Sequence, residues 1–184
     1  MEFLRTKAHL RSRTNTFSAI FRVRSELSFA IHSFFREMGF IYVNTPIITG
    51  NDSEGAGEMF QAIKEGEDFF GKKAFLTVSG QLHAETMALG LGNVYTFGPT
   101  FRAEKSLTKI HAAEFWMLES EMAFYDLHDM ISLSEKFIKY VVKHIIASCP
   151  DELALFTQFM EKGLIARIDD VLNKEFSRMT YTEA

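Results

Sequence analysis

The chain carries one cysteine, three prolines and one tryptophan, and it lacks any run of about 18 apolar residues that could cross a bilayer. A lone cysteine, Cys149, excludes an intrachain disulfide and a thiolate-held metal cluster, so a reducing compartment is expected. Set after a helical stretch and before Pro150, it reads as a small buried residue and not as a nucleophile. No basic n-region followed by an apolar core opens the chain, so a cytoplasmic protein is expected, neither secreted nor membrane-bound. Familiar catalytic fingerprints are missing as well: there is no Gly-x-Ser-x-Gly elbow, Walker loop or Rossmann glycine pattern, and no glycosidase-like carboxylate pair. His9, His32, His83, His111, His128 and His144 stand apart from one another, which leaves no metal-ligand spacing and no expected metal site.

What is present suits a globular chain of about one domain. Of 184 residues, 47% are hydrophobic and 24% charged, enough to build a core and too apolar for intrinsic disorder. Phenylalanine is the outlier: 19 Phe with 5 Tyr and the single Trp make a large aromatic payload that must be packed somewhere. Charge is uneven along the chain. Residues 1–24 hold Arg5, Lys7, Arg11, Arg13, Arg22 and Arg24 against Glu2 alone, a net +5. With −4 overall, the other 160 residues therefore carry −9. Such a basic stretch suits phosphates through counterion release, and it equally suits a plainly solvated face.

Periodicity outlines the elements. Residues 1–16 read as a lead-in segment. Thr14, Asn15 and Thr16 then offer N-cap oxygens to a helix over Phe17–Met38, whose apolar stripe runs Phe17, Ile20, Phe21, Leu27, Ile31, Phe34, Phe35 and Met38. Gly39 fits the position after its last turn. Strands are expected at Phe40–Val43, extended chain from Pro46 to Ile48, loops over 50–57 and 64–73, a strand at Phe75–Val78 and a helix over Gln81–Leu91. Val94–Phe97 is a further strand, with Pro99 expected to bend or bulge it before Phe101. Phe101–Glu104 and Glu114–Met122 bracket a polar loop as a hairpin. Parity puts Phe115 and Met117 on one face of its second arm, with Trp116, Leu118 and Met122 on the other. Asp126 caps a helix striped by Met130, Leu133, Phe137, Val141 and Ile145 and closed by Pro150. Two shorter helices follow near Asp151–Lys162 and Ile165–Phe176. Thr180–Ala184 reads as a strand end and the opening of a helix, the mark of a truncated chain.

The hairpin is where chemistry is most legible. Arg102 and Glu104 lie two apart and hence on one strand face, and Phe115 returns on the facing arm. An arginine on a rigid strand can hold a phosphate or carboxylate bidentately, and an aromatic ring opposite can stack a base. The same pair also fits an ordinary strand salt bridge, and the residues alone leave both open.

A resemblance adds to this. Gly39-Phe40-Ile41, Val43 and Thr45-Pro46-Ile47-Ile48 behind a long helix resemble motif 1 of the class II aminoacyl-tRNA synthetases. Phe101-Arg102, Glu104, His111 and Glu114-Phe115 resemble their motif 2. Ser53-Glu54-Gly55-Ala56 and Ser79-Gly80-Gln81-Leu82 are similar to amino-acid-binding segments of the aspartyl/asparaginyl subgroup. Its asparaginyl members are the most similar, through residues 53–60, 79–82 and 113–119. The resemblance runs in order from about Leu10 through Thr182. It implies an α+β fold, an antiparallel β-sheet flanked by helices, ending before motif 3. Residues 1–16 would be the linker from a missing anticodon-binding domain, and residues 17–184 the N-terminal part of the catalytic domain.

The resemblance also implies roles. Arg102 would be the catalytic residue, holding the amino acid's carboxylate and the α-phosphate of ATP. Glu104 would sit at the adenine or the amino acid, His111 would approach the γ-phosphate and Phe115 would stack on adenine. Gln81 would bind the substrate α-amino group, and Glu54 would lie in a loop closing over the amino acid. Aspartyl relatives carry a lysine where this chain has Ala84, followed by Glu85. A missing cation beside an acid disfavours bound aspartate and suits an amide, which would make both positions part of the amino-acid site. Phe17, Phe21 and Pro46 would form a homodimer interface. The implied activity is ATP-dependent activation of L-asparagine and its transfer to tRNA(Asn), with Mg²⁺ held by residues beyond Ala184 and the fragment alone inactive. Alternatives are an aspartyl-type or other amino-acid adenylating ligase, or a non-catalytic dimerising or RNA-binding paralogue. Lys105 and Lys109 could meet an acceptor stem or merely keep a loop soluble.

Overall fold

The computed structural model describes residues 2–53, 55, 58–106, 108 and 110–184. They fall into two units: a helical one, Met1–Phe34 with Asp126–Ala184, and a sheet-bearing one, Phe35–Tyr125.

In the helical unit, α1 (Glu2–Thr6) and a 3-10 segment (Ala8–Arg13) lead into α2 (Asn15–Glu37). The expected lead-in is therefore helical. Thr14 caps α2, its Oγ1 accepting from the Phe17 amide at 3.4 Å. After the sheet-bearing residues come α4 (Leu127–Ser148), α5 (Pro150–Phe159) and α6 (Leu164–Asn173). Asp126 and Asp129 form the reciprocal capping box of α4, satisfying two of the amide groups that a helix start leaves open. Pro150 opens α5 at a position where no intrahelical N–H is needed.

The core of this unit gathers Ile145, Cys149 and Leu153, with Val23, Leu27, Phe156 and Ile168 packed against them. Phe34 is buried and meets Phe137 edge-on at 5.3 Å between centroids. Cys149 is buried as expected, and burial, helped by Glu152 and Glu26, pushes its thiol pKa up. Met130, expected in the α4 stripe, is exposed instead. Thr180 opens a final turn, with the Glu183 carboxylate accepting from its amide and its hydroxyl at 2.8 Å, but the strand end expected before it is not formed.

The sheet-bearing unit contains β1 (Ile41–Tyr42), β2 (Ile48–Thr49), β3 (Phe75–Leu76), α3 (Gln81–Leu91), β4 (Asn93–Phe101) and β5 (Glu114–Met122). Gly39, at φ +80°, supplies the left-handed turn between α2 and β1. The main sheet has the order β1-β4-β5 and β2 pairs with β3. The long β4–β5 pair is antiparallel, as expected, whereas β1 joins β4 in parallel. Phe35 stacks on Tyr95 at 4.6 Å on one side of the sheet. On the other, Ala84 and Ala88 of α3 pack with Val43 and Val94.

Pro99 neither bends nor bulges β4. The ladder runs unbroken from Asn93↔Met122 to Phe101↔Glu114. The reason is direction. The Tyr95 carbonyl accepts from Val43 and the Phe101 amide donates to the Thr77 carbonyl, so odd-numbered backbone groups of β4 point away from β5. Pro99 shares that parity, and its missing N–H removes nothing from the β5 ladder.

Candidate active site

Arg102 follows directly on β4, and its amide donates to the Ala113 carbonyl at 3.0 Å, extending the hairpin by one step. The strand stops there, because the next amide, that of Ala103, donates to Glu58 at 2.8 Å instead. Arg102 and Glu104 therefore do not share a strand face as their spacing suggested. The Arg102 guanidinium lies over the Phe115 ring, 5.7 Å from its centroid, close enough for cation–π attraction. Arg102, Glu104, His111 and Phe115 all line one cleft of about 950 Å³, together with Lys105. His111 is exposed and its Nδ1 meets the Thr108 hydroxyl. Four residues that the resemblance assigned to ATP thus border one space. Lys109 and Glu54 lie outside the described residues.

Gln81 is the first residue of α3, and its side-chain amide donates to Glu85 at 2.7 Å one turn on. Both are exposed on one helical face. Ala84 is different. It has no exposed surface and packs with Val43, Ala88 and Val94, so it offers no atom to a ligand and serves here as a core residue.

Glu119 was not singled out from the sequence, yet it organises this end of the hairpin. Its carboxylate accepts from the Ser79 hydroxyl, from the Gly80 amide at 2.9 Å and from the Thr96 hydroxyl at 3.2 Å. The Ser79 hydroxyl oxygen in turn accepts from the Gln81 amide at 3.0 Å. The start of α3 is therefore tied to β5 through one side chain. The register, which sets Thr96 against Glu119, was the available signal.

Glu121, two residues on and on the same face, has its pKa raised by burial and then by the negative charges of Glu85 and Glu119. A raised folded-state pKa favours the protonated native form. The stability it carries is full below the ordinary glutamate range and is lost as pH rises through the folded value. Glu121→Gln is therefore expected to raise the melting temperature at pH 7 and to leave it unchanged at pH 3.5. Thermal melts at the two pH values check this, and a lower melting point at pH 7 would contradict it.

The model of the class II tRNA synthetases (D, K and N) matches residues 1–184, the whole chain. The chain belongs to that family. Among curated members, the asparagine–tRNA ligase of Clostridium kluyveri is 55% identical over 199 residues and that of Clostridium perfringens 56% over 198. Each match takes in the whole chain and 43% of the relative. The chain thus spans less than half the length of these relatives. Among solved structures, asparaginyl-tRNA synthetase from Pyrococcus horikoshii complexed with asparaginyl-adenylate superposes with a TM-score of 0.87 at 32% identity. That match covers 99% of this chain and 39% of the other. The asparaginyl-tRNA synthetase of Entamoeba histolytica shares the fold, with a TM-score of 0.77 at 24% identity. The mixture of helices with an antiparallel hairpin sheet is therefore the class II architecture of this family.

Proposed function

We propose that these residues form the part of an asparagine–tRNA ligase that receives ATP and asparagine. The observation that carries this is the single cleft bordered by Arg102, Glu104, His111 and Phe115. Phe115 and Glu119 support it, since they share a face of β5 four residues apart, about 13 Å at 3.3 Å per residue. That is room for a nucleotide with its amino acid attached. Adenine would stack on Phe115, and the amino-acid end would lie toward Gln81 and Glu85.

In this reading the carboxylate oxygen of asparagine forms a bond to the α-phosphorus of ATP as the bond to pyrophosphate breaks. The terminal ribose hydroxyl of tRNA(Asn) then displaces AMP from the adenylate. Arg102 holds the two reacting anions together and offsets the charge that builds on the α-phosphate. His111 stands where the leaving phosphates emerge. Among the described residues no group of three His, Cys, Asp or Glu side chains is placed to hold a metal ion. Arg102 and Lys105, which line the same cleft, offer charge neutralisation there, and Mg²⁺ would need other ligands. Glu85, exposed on the face of α3 that carries Gln81, favours the amide of asparagine over the carboxylate of aspartate. The proposal includes Glu54 closing over the amino acid and a homodimer built through Phe17, Phe21 and Pro46. Of these, Phe21 and Pro46 are exposed and Phe17 is half-buried beneath Arg11. It also includes residence in the cytoplasm. No helix among the described residues is long and apolar enough to cross a membrane.

The test is ATP–pyrophosphate exchange by a version extended past Ala184 to the length of the curated relatives. Exchange that depends on asparagine and not on aspartate is expected, and exchange with aspartate alone would overturn the assignment. Phe115→Ala in that protein is expected to raise the KM for ATP by about tenfold or more, since one stacked base is worth about 1–3 kcal/mol. An unchanged KM would take adenine off this ring.

A further inference from the structure

We propose that Thr108 is a positioning residue for the cleft: it holds the His111 imidazole at Nδ1, so that Nε2 is the nitrogen presented to a phosphate chain. That the phosphates are those of ATP rests on the ligase reading, while the contact itself does not. The Thr108 hydroxyl meets His111 Nδ1 directly, and among the described residues of the loop between β4 and β5 no other two side chains hydrogen-bond each other. His111 lines the cleft with Arg102, Lys105 and Phe115, whereas Thr108 does not. Thr108 is exposed, and its other bond is local, its amide donating to the Ser106 hydroxyl at 3.4 Å. It therefore reaches the cleft through His111, and no part of the core depends on it.

The loop backbone is pinned close by, where the Arg102 amide donates to the carbonyl of Ala113 at 3.0 Å. That bond limits the path of the chain at His111 but not the ring, which still turns about its side-chain bonds. The Thr108 hydroxyl stops that rotation before a ligand arrives. A hydroxyl suits the task because it carries one donor and two acceptor lone pairs. It donates to Nδ1 of a neutral ring and accepts from Nδ1–H of a protonated one. In both cases Nε2 carries hydrogen and donates outward, the polarity that a phosphate oxygen needs. A carboxylate at this position could only accept, and a methyl group could do neither. In the ligase reading Arg102 then holds the α-phosphate from the end of β4, while His111 meets the leaving phosphates from the loop.

The first test is spectroscopic, on the 184-residue chain with isotope-labelled histidine. Long-range proton–nitrogen correlations report the hydrogen bonding and protonation of each ring nitrogen. Thr108→Val keeps the shape and removes the hydroxyl. It should move the His111 signals and leave those of His9, His32, His83, His128 and His144 in place, while Thr108→Ser keeps the original pattern. The second test is a double-mutant cycle in the extended protein, read as asparagine-dependent ATP–pyrophosphate exchange. Thr108→Val should lower kcat/KM for ATP by about three- to tenfold, the worth of ordering one side chain. KM for asparagine should not change, and Thr108→Ser should recover most of the loss. In a His111→Ala background the valine substitution should add nothing, because Thr108 acts through that ring. The proposal is overturned if the His111 signals ignore Thr108→Val, if the valine variant keeps full exchange activity, or if its loss adds undiminished to that of His111→Ala. Absence of asparagine-dependent exchange in the unaltered extended protein overturns the ligase reading instead, and the Thr108–His111 contact then stands or falls on the imidazole signals.

Discussion

Arg102→Ala in the extended protein is expected to lower kcat for asparagine-dependent pyrophosphate exchange by a factor of at least about 100–1,000, the range for removing one preorganised charge-stabilising donor. Its position explains the size of the effect. The backbone on either side is fixed, at β4 on one side and through the Ala103–Glu58 bond on the other, and the guanidinium rests over Phe115. The charge is thus held in place before substrate arrives and needs no reorganisation as negative charge moves onto the α-phosphate. Arg102→Lys separates geometry from charge. Lysine keeps the positive charge and loses the planar fork that contacts two anions at once. It should recover only a small part of the rate, with the loss falling on kcat more than on KM for ATP. Full activity in either variant would remove Arg102 from the chemistry.

The way the elements met the sequence pattern separates local from long-range information. The limits of α2, the capping box at Asp126 and the turn at Gly39 depend on residues within one helical turn, and such signals are read directly from the chain. Pro99 misled because proline harms a strand only if its missing N–H faces a partner. Its N–H side faces away from β5, and no strand meets it there because β1 pairs only as far as Tyr42↔Tyr95, a fact of tertiary pairing. Ala84 misled in a related way: helical spacing places it one turn from Gln81, but whether that face meets ligand or core is decided by Val43 and Val94. Arg102, Glu104 and Phe115 were legible because they belong to one hairpin and its loop, whereas His111 was reached only through the resemblance to motif 2. Glu119 was not, because its role exists only once α3 has been brought against β5, some 40 residues away in sequence from Ser79.

Gly80→Ala should be among the more damaging small substitutions in the sheet-bearing unit. A Cβ there would lie 2.8 Å from the Thr45 hydroxyl oxygen, 3.0 Å from that of Thr96 and 3.1 Å from the Thr96 methyl. Thr96 is buried and tied to Glu119, and the Gly80 amide is tied to the same carboxylate, so the turn cannot move away without breaking those bonds. Overpacking of this kind costs about 1–3 kcal/mol, which denaturant titration would register as a lower midpoint at constant slope. The effect should reach the site, because the displaced turn carries Gln81 at the head of α3. KM for asparagine is expected to rise in Gly80→Ala while KM for ATP, set at the other end of β5, stays near its original value. Glu119→Ala tests the same anchor without adding volume. Three donors lose their acceptor, at roughly 1–3 kcal/mol for each one that water cannot reach, and KM for asparagine should rise in the same selective way. Removing the first obstacle with Thr45→Ala should restore part of the stability of Gly80→Ala and little of that of Glu119→Ala. Equal rescue of both would show that steric room, and not the Glu119 carboxylate, fixes the turn.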